Sequence, residues 1–174
     1  MGNLFPKLGA SPEAFRLPDG GWCPNNRLLP LLVYRSVFDG SGEELARKIE
    51  KTFDAYGWLP AWRYTIYDFP HYHSTSHEVI GVFAGSATVR FGDEVGIDAE
   101  LRAGDVVFIP AGVSHQRISS SADFCGVGAY PAGFVPDMHR KGESDARDSR
   151  ERIGNLPHPG LDPLTGAPWE TPRA

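Results

Sequence analysis

The stretch HYHSTSHEVIGVFAG, residues 71–85, decides the reading of this chain, and AGDVVFIPAGVSH, residues 103–115, completes it. His71 and His73 are two residues apart, so on a strand they face the same side. Glu78 follows five residues after His73, and His115 comes from a later strand. Neutral imidazole nitrogen is a ligand for ions such as Zn, Fe, Ni and Cu. Three imidazoles and one carboxylate would supply four protein ligands. An ion preferring five or six would keep open positions, which catalysis needs. A histidine in an apolar strand is ordinarily a packed side chain, and a His-x-His pair alone is weak evidence. The wider spacing is what raises it.

Working outward, the neighbouring segments read as strands. Residues 61–69 are rich in aromatic and β-branched residues, and 78–83, 87–91, 99–101, 106–109, 115–118 and 124–130 are short apolar or alternating runs. Turn formers separate them at Ala84-Gly85, Gly92-Asp93, residues 103–105 and residues 110–112. Short strands with turns every eight to twelve residues suggest an all-β sandwich or barrel. Upstream, Leu31–Tyr34 is a strand candidate, and PDGGWCPNN, residues 18–26, reads as loop. Residues 41–56 form the clearest helix: Ser41 and Glu44 have capping-box spacing, Leu45, Ile49 and Phe53 share one face, and Gly57 suits a left-handed end. The tail after Pro136 turns polar, with a helix expected near residues 143–153 and loose order beyond.

The order His71-x-His73-x4-Glu78-x6-Gly85, then Gly104-x5-Pro110-x-Gly112-x2-His115, resembles both motifs of the cupin superfamily. Gly85 and Gly104 stand where hairpins must turn, and Pro110 and Gly112 would break a strand and re-aim His115. The resemblance covers roughly residues 60–132. It implies a double-stranded β-helix, or jelly roll, with one divalent metal ion (Fe, Mn, Ni or Zn) between the sheets on His71, His73, Glu78 and His115. Two positions depart from the pattern: Thr65 stands for the usual Gly before the first motif, and Ser119 for the usual Asn after the second. His77 also has a spacing the motif allows, so it is an alternative ligand or a partner of Glu78. Glu78 is favoured because it keeps the step to Gly85.

The words CPNN, LPLLVYR, HYHSTSHEVIGV, AGDVVFIPAGVSHQR and GAYPAG look like the YjlB-like bacterial cupins, a largely uncharacterised group. The expected organisation is one domain. Residues 1–59 give an N-terminal strand arm and flanking α-helix, 60–136 the barrel, and 137–174 a C-terminal extension on or behind it. The arm could pair within its own barrel or with a second copy, so a homodimer is expected by family analogy.

Arg63, Tyr67 and Phe69 share parity with His71 on a regular strand, although Pro70 could bulge it. Arg117 shares parity with His115, and a guanidinium beside a metal would suit a carboxylate substrate. A surface ion pair explains that Arg equally well. Trp58, Trp62, Tyr64 and Tyr130 read as packing residues, Cys125 as a strand residue, and His139 and His158 as tail residues without special function.

Composition bounds the rest. The 20 Gly and 15 Pro of 174 residues disfavour a helical bundle. A formal charge of −5 without a basic run argues against nucleic acid. No window approaches a membrane span, and the N-terminus lacks the apolar core of a secretion signal. Two distant cysteines read as reduced thiols of a cytoplasmic protein. By analogy, the expected function is a metal-dependent enzyme on a small oxygen-rich molecule, with dioxygenase ahead of isomerase. The alternative is a non-catalytic ligand-binding or sensor cupin.

Overall fold

The strands form where the apolar runs lie, and turn residues end them. The computed structural model describes residues 6–7, 11–143 and 146–172. The first residues of the expected tail helix that fall at 144–145 lie outside them, as does most of the N-terminal stretch read for a secretion signal. In chain order come β1 (Glu13–Phe15), β2 (Leu31–Tyr34), α1 (Gly42–Ala55), β3 (Trp58–Tyr64), β4 (His71–Tyr72), β5 (Glu78–Ala84) and β6 (Ser86–Phe91). After a 3-10 turn follow β7 (Ile97–Arg102), β8 (Val106–Ile109), β9 (His115–Ser120), β10 (Cys125–Pro131), β11 (His139–Arg140) and α2 (Ala146–Asn155).

Two antiparallel sheets face each other, ordered β1-β2-β8-β5-β10-β3 and β11-β4-β9-β6-β7. Alternation along each strand divides the apolar residues between two cores. Val33, Ile80, Val82, Val89, Phe91, Leu101 and Val107 fill the interior between the sheets. Leu32, Val79, Val106, Phe108 and Val127 face outward from the six-stranded sheet onto Leu45, Ile49 and Phe53 of α1. Burying each of those helix side chains contributes about 1.5–3 kcal/mol. Because both faces of β8 are covered, its sequence VVFI reads as an unbroken apolar run. The helix sits very close to β5. A Cβ on Gly81 would lie 2.6 Å from Ile49, so that position admits only hydrogen.

Several expectations need correction. Ser41 precedes α1 in extended conformation but makes no side-chain cap bond, and Glu44 instead pairs with Lys48 at 3.1 Å. The helix does end at a left-handed Gly57 with φ +77°. β3 begins at Trp58 and stops at Tyr64, where its partner β10 runs out, so residues 65–70 are not strand. The tail is not loose. Leu164 is buried in the outer core, Trp169 packs 4.6 Å from Phe108 ring to ring, and Trp58 Nε1 donates to the Leu161 carbonyl at 2.9 Å. β2 is paired on both sides, by β1 and β8 of its own barrel. Cys23 and Cys125 are both free thiols. Among the described residues, no helix is long and apolar enough to cross a membrane.

Candidate metal centre

Two neighbouring strands bring the histidines together. β4 pairs with β9 through His71 opposite His115, and His73 directly follows β4. All three imidazoles are buried, and their ligand atoms lie within 4.8 Å of one another. Each ring is oriented by a backbone carbonyl. His71 Nδ1 donates to Phe69 O at 3.1 Å, His115 Nδ1 to Val113 O at 3.2 Å, and His73 Nδ1 to Asp137 O. A neutral imidazole that carries its hydrogen on Nδ1 keeps a lone pair on Nε2. Fixing the tautomer by a carbonyl behind the ring is the usual arrangement behind metal-binding histidines.

Glu78 opens β5 with the same parity as Ile80, so its side chain points between the sheets. Oε1 accepts from Tyr130 Oη at 2.8 Å and from Trp62 Nε1 at 3.2 Å. Oε2 is buried and has no hydrogen-bond partner. It lies 3.4 Å from His73 Nε2 and 3.3 Å from His115 Nε2. With both rings in the Nδ1–H tautomer, a carboxylate oxygen and two nitrogen lone pairs converge. A positive charge between them would make that arrangement favourable.

The proton equilibria respond to the same crowding. Burial favours neutral Glu78, but His115 and His73 outweigh it and hold its carboxyl well below the usual range. Burial disfavours an imidazolium at His73, yet the Glu78 carboxylate raises its pKa. Burial, then the neighbouring His115, push His71 down to about 3. A divalent cation would supply the missing charge to all four groups at once. His71, His73, His115 and Glu78 therefore form a donor set that fits one.

The other candidate residues disperse. His77 points to the opposite side: Nδ1 accepts from Ala111 N–H at 2.9 Å, and Nε2 donates to Pro157 O at 3.1 Å. Both nitrogens are used, and burial pushes its pKa down to about 4. Arg63 borders the cavity, but its guanidinium is held by Glu43 and Glu50 of α1 at 2.8 and 2.5 Å, because β3 lies against that helix. The Arg117 side chain donates to Ile66 O at 3.0 Å and Ser120 Oγ at 3.2 Å rather than into the cavity. Tyr67 does stand at the mouth, edge-on to His71 at 5.5 Å. Trp62 and Tyr130, read from the sequence as packing residues, are the partners of Glu78. Gly128 makes room for the first of them: a Cβ there would overlap the Trp62 ring at 1.9 Å.

A cavity of about 390 Å³ opens over the histidines, walled by Trp62, Ile66, Tyr67, Ile80, Tyr130 and Met138. A model of the cupin domain matches residues 66–123, which hold all four candidate ligands. The curated Uncharacterized protein YjlB of Bacillus subtilis (strain 168) is 36% identical over 154 residues, covering 88% of this chain and 90% of that protein. The chain is a cupin. It belongs with the YjlB-like members, as the sequence resemblance implied, and its two facing sheets are the expected jelly roll.

Among solved structures, this cupin is similar to procruciferin, an 11S globulin from Brassica napus. The identity is 17% and the TM-score 0.38, covering 43% of this chain and 21% of that one. It is also similar to a vicilin from Solanum lycopersicum (tomato), at 16% identity and TM-score 0.39, covering 82% of this chain and 40% of that one.

Proposed function

We propose that this cupin holds one divalent ion, Fe, Mn, Ni or Zn, on His71, His73, Glu78 and His115 and uses it as an enzyme on a small molecule. A single observation carries the metal: the partnerless Glu78 Oε2 faces two carbonyl-oriented imidazoles. When bound, the ion would supply Lewis acidity, or dioxygen activation if it is iron. Dioxygenase chemistry is placed ahead of isomerase by family analogy alone.

The chain's own residues do the rest. Trp62 and Tyr130 donate to Oε1, which fixes the carboxylate and leaves Oε2 for the ion. Ile66, Ile80 and Met138 give the cavity apolar walls. The Arg63 and Arg117 side chains are committed to Glu43, Glu50, Ile66 and Ser120, so neither of these two guanidiniums is offered to clamp a carboxylate. The substrate this favours is small and flat, offers oxygen atoms to the ion, and is otherwise uncharged. Glu78 offsets only one of the two charges of the ion, which favours an ionisable hydroxyl at that end.

Metal analysis of protein purified without a His-tag tests the centre. Near-stoichiometric metal and a metal-induced rise in Tm are expected, and neither appearing would remove the proposal. Oxygen uptake across catechols, thiols and keto acids then tests the reaction, with catechols expected to respond most. A flat response alongside tight ligand binding would make the protein a binding module instead.

The free thiols suit a reducing, cytoplasmic setting. The homodimer expected by analogy would have to use an edge other than β2, and a solution mass of one chain would exclude it.

A further inference from the structure

Between β10 and β11 the chain crosses the mouth of the cavity as a strap, with Met138 on the cavity wall and Asp137 beside it. Asp137 is stitched to the residues just after His73. Its Oδ1 accepts from Ser74 N–H at 2.5 Å and Thr75 N–H at 3.2 Å. Its Oδ2 accepts from the Ser74 hydroxyl and lies 2.8 Å from His139 Nε2. In return, Asp137 N–H donates to Thr75 Oγ1 at 2.9 Å, and that hydroxyl donates to Val135 O at 2.7 Å. Ser74, fully buried, also accepts from Arg152 Nε of α2 at 3.0 Å. These bonds fix one further group, the Asp137 carbonyl, which receives the His73 Nδ1 hydrogen.

The other two histidines take their carbonyls from Phe69 and Val113, each two residues back along the same strand or its approach. Only His73 takes its carbonyl from a distant segment, 64 residues away. We propose that Asp137 is a positioning residue for the metal centre: its carboxylate locks the strap to Ser74 and Thr75, and the strap's carbonyl then sets the tautomer and direction of His73. The inference rests on the metal-centre reading, but its geometry can be tested separately.

The Asp137→Ala variant is compared with the wild-type protein in two measurements. The first is nitrogen-15 NMR of histidine-labelled, metal-free protein, recorded at a pH high enough that His73 is neutral. His73 is expected to hold its hydrogen on Nδ1 in the wild type and to become a mixture of tautomers in the variant. An unchanged His73 signal overturns the proposal. The second is Mn(II) and Co(II) affinity with the Co(II) absorption spectrum. A loss of roughly 10–100-fold in affinity with an altered spectrum is expected. A merely structural role would lower the Tm of the metal-free protein while leaving affinity and spectrum unchanged, and that result also overturns it. If D137A does not fold, D137N carries both measurements, because it keeps the Oδ1 acceptor and loses the Oδ2 one. If the wild type binds no metal, the centre itself fails, and the tautomer measurement still decides Asp137.

Discussion

His73 and His77 stand four residues apart on either side of the β4–β5 connection, and both are almost fully buried. On the tail side, His77 has a protein partner for each nitrogen and behaves as a neutral structural bracket between Ala111 and Pro157. On the cavity side, His73 has a partner for Nδ1 only, and its Nε2 faces a carboxylate oxygen that itself lacks a donor. A buried histidine is therefore told from a ligand by counting its satisfied nitrogens rather than by its spacing in the sequence.

The strongest way to break this contrast is to remove His73. His73→Ala is expected to abolish stoichiometric metal, a loss beyond the roughly 10–100-fold typical of outer partners. Metal-free circular dichroism should stay close to wild type. Retained metal would show that the cavity side is no different from the tail side.

His77→Ala should do the reverse. Two buried partners are left unsatisfied and a void opens beside Phe108, so the fold should lose about 2–4 kcal/mol in urea unfolding. Metal stoichiometry should not change.

The third test uses pH. His77 in the fold has a pKa pushed from 6.5 to about 4. Between those values the unfolded chain binds the extra proton, so stability falls as pH falls through that window. The contribution lost is on the order of 3 kcal/mol. A His77→Gln protein should show a shallower decline in Tm between pH 6.5 and 4 than wild type.

The smallest effect belongs to Tyr130→Phe, which removes one donor from Glu78 Oε1. Stability should fall by about 1.5–3 kcal/mol. Metal affinity should fall less than in His73→Ala, measured by competition with a chelator.

The barrel was legible because its turns need particular residues. Gly85, Gly104, Pro110 and Gly112 mark strand ends by backbone chemistry, which a sequence displays directly. The four candidate ligands were legible as a motif. Their supports were not, because they depend on pairings made across the fold. Trp62 meets Glu78 through the β3–β10 pairing, and Asp137 reaches Ser74 from beyond β10. The direction of the Arg63 side chain was not legible for a related reason. Parity counted along the chain assumes one unbroken strand, whereas β3 stops at Tyr64 and its outward face meets acidic residues of α1. Ser41 makes no side-chain cap bond, and the Glu44 carboxylate, which a capping box would turn back to the Ser41 N–H, is paired with Lys48.

The tail packed against Phe108 also bears on the order in which the protein can be made. Chains emerge from the N-terminus during synthesis. The helix face of Leu45, Ile49 and Phe53 and the strands beneath it are complete long before Leu164 and Trp169 appear. Until then Phe108, Trp58 and the Pro157 side of His77 stand uncovered. The last segment described thus seals a core begun by the first helix. A nascent chain arrested before residue 157 would carry a finished barrel interior and an open, adhesive flank.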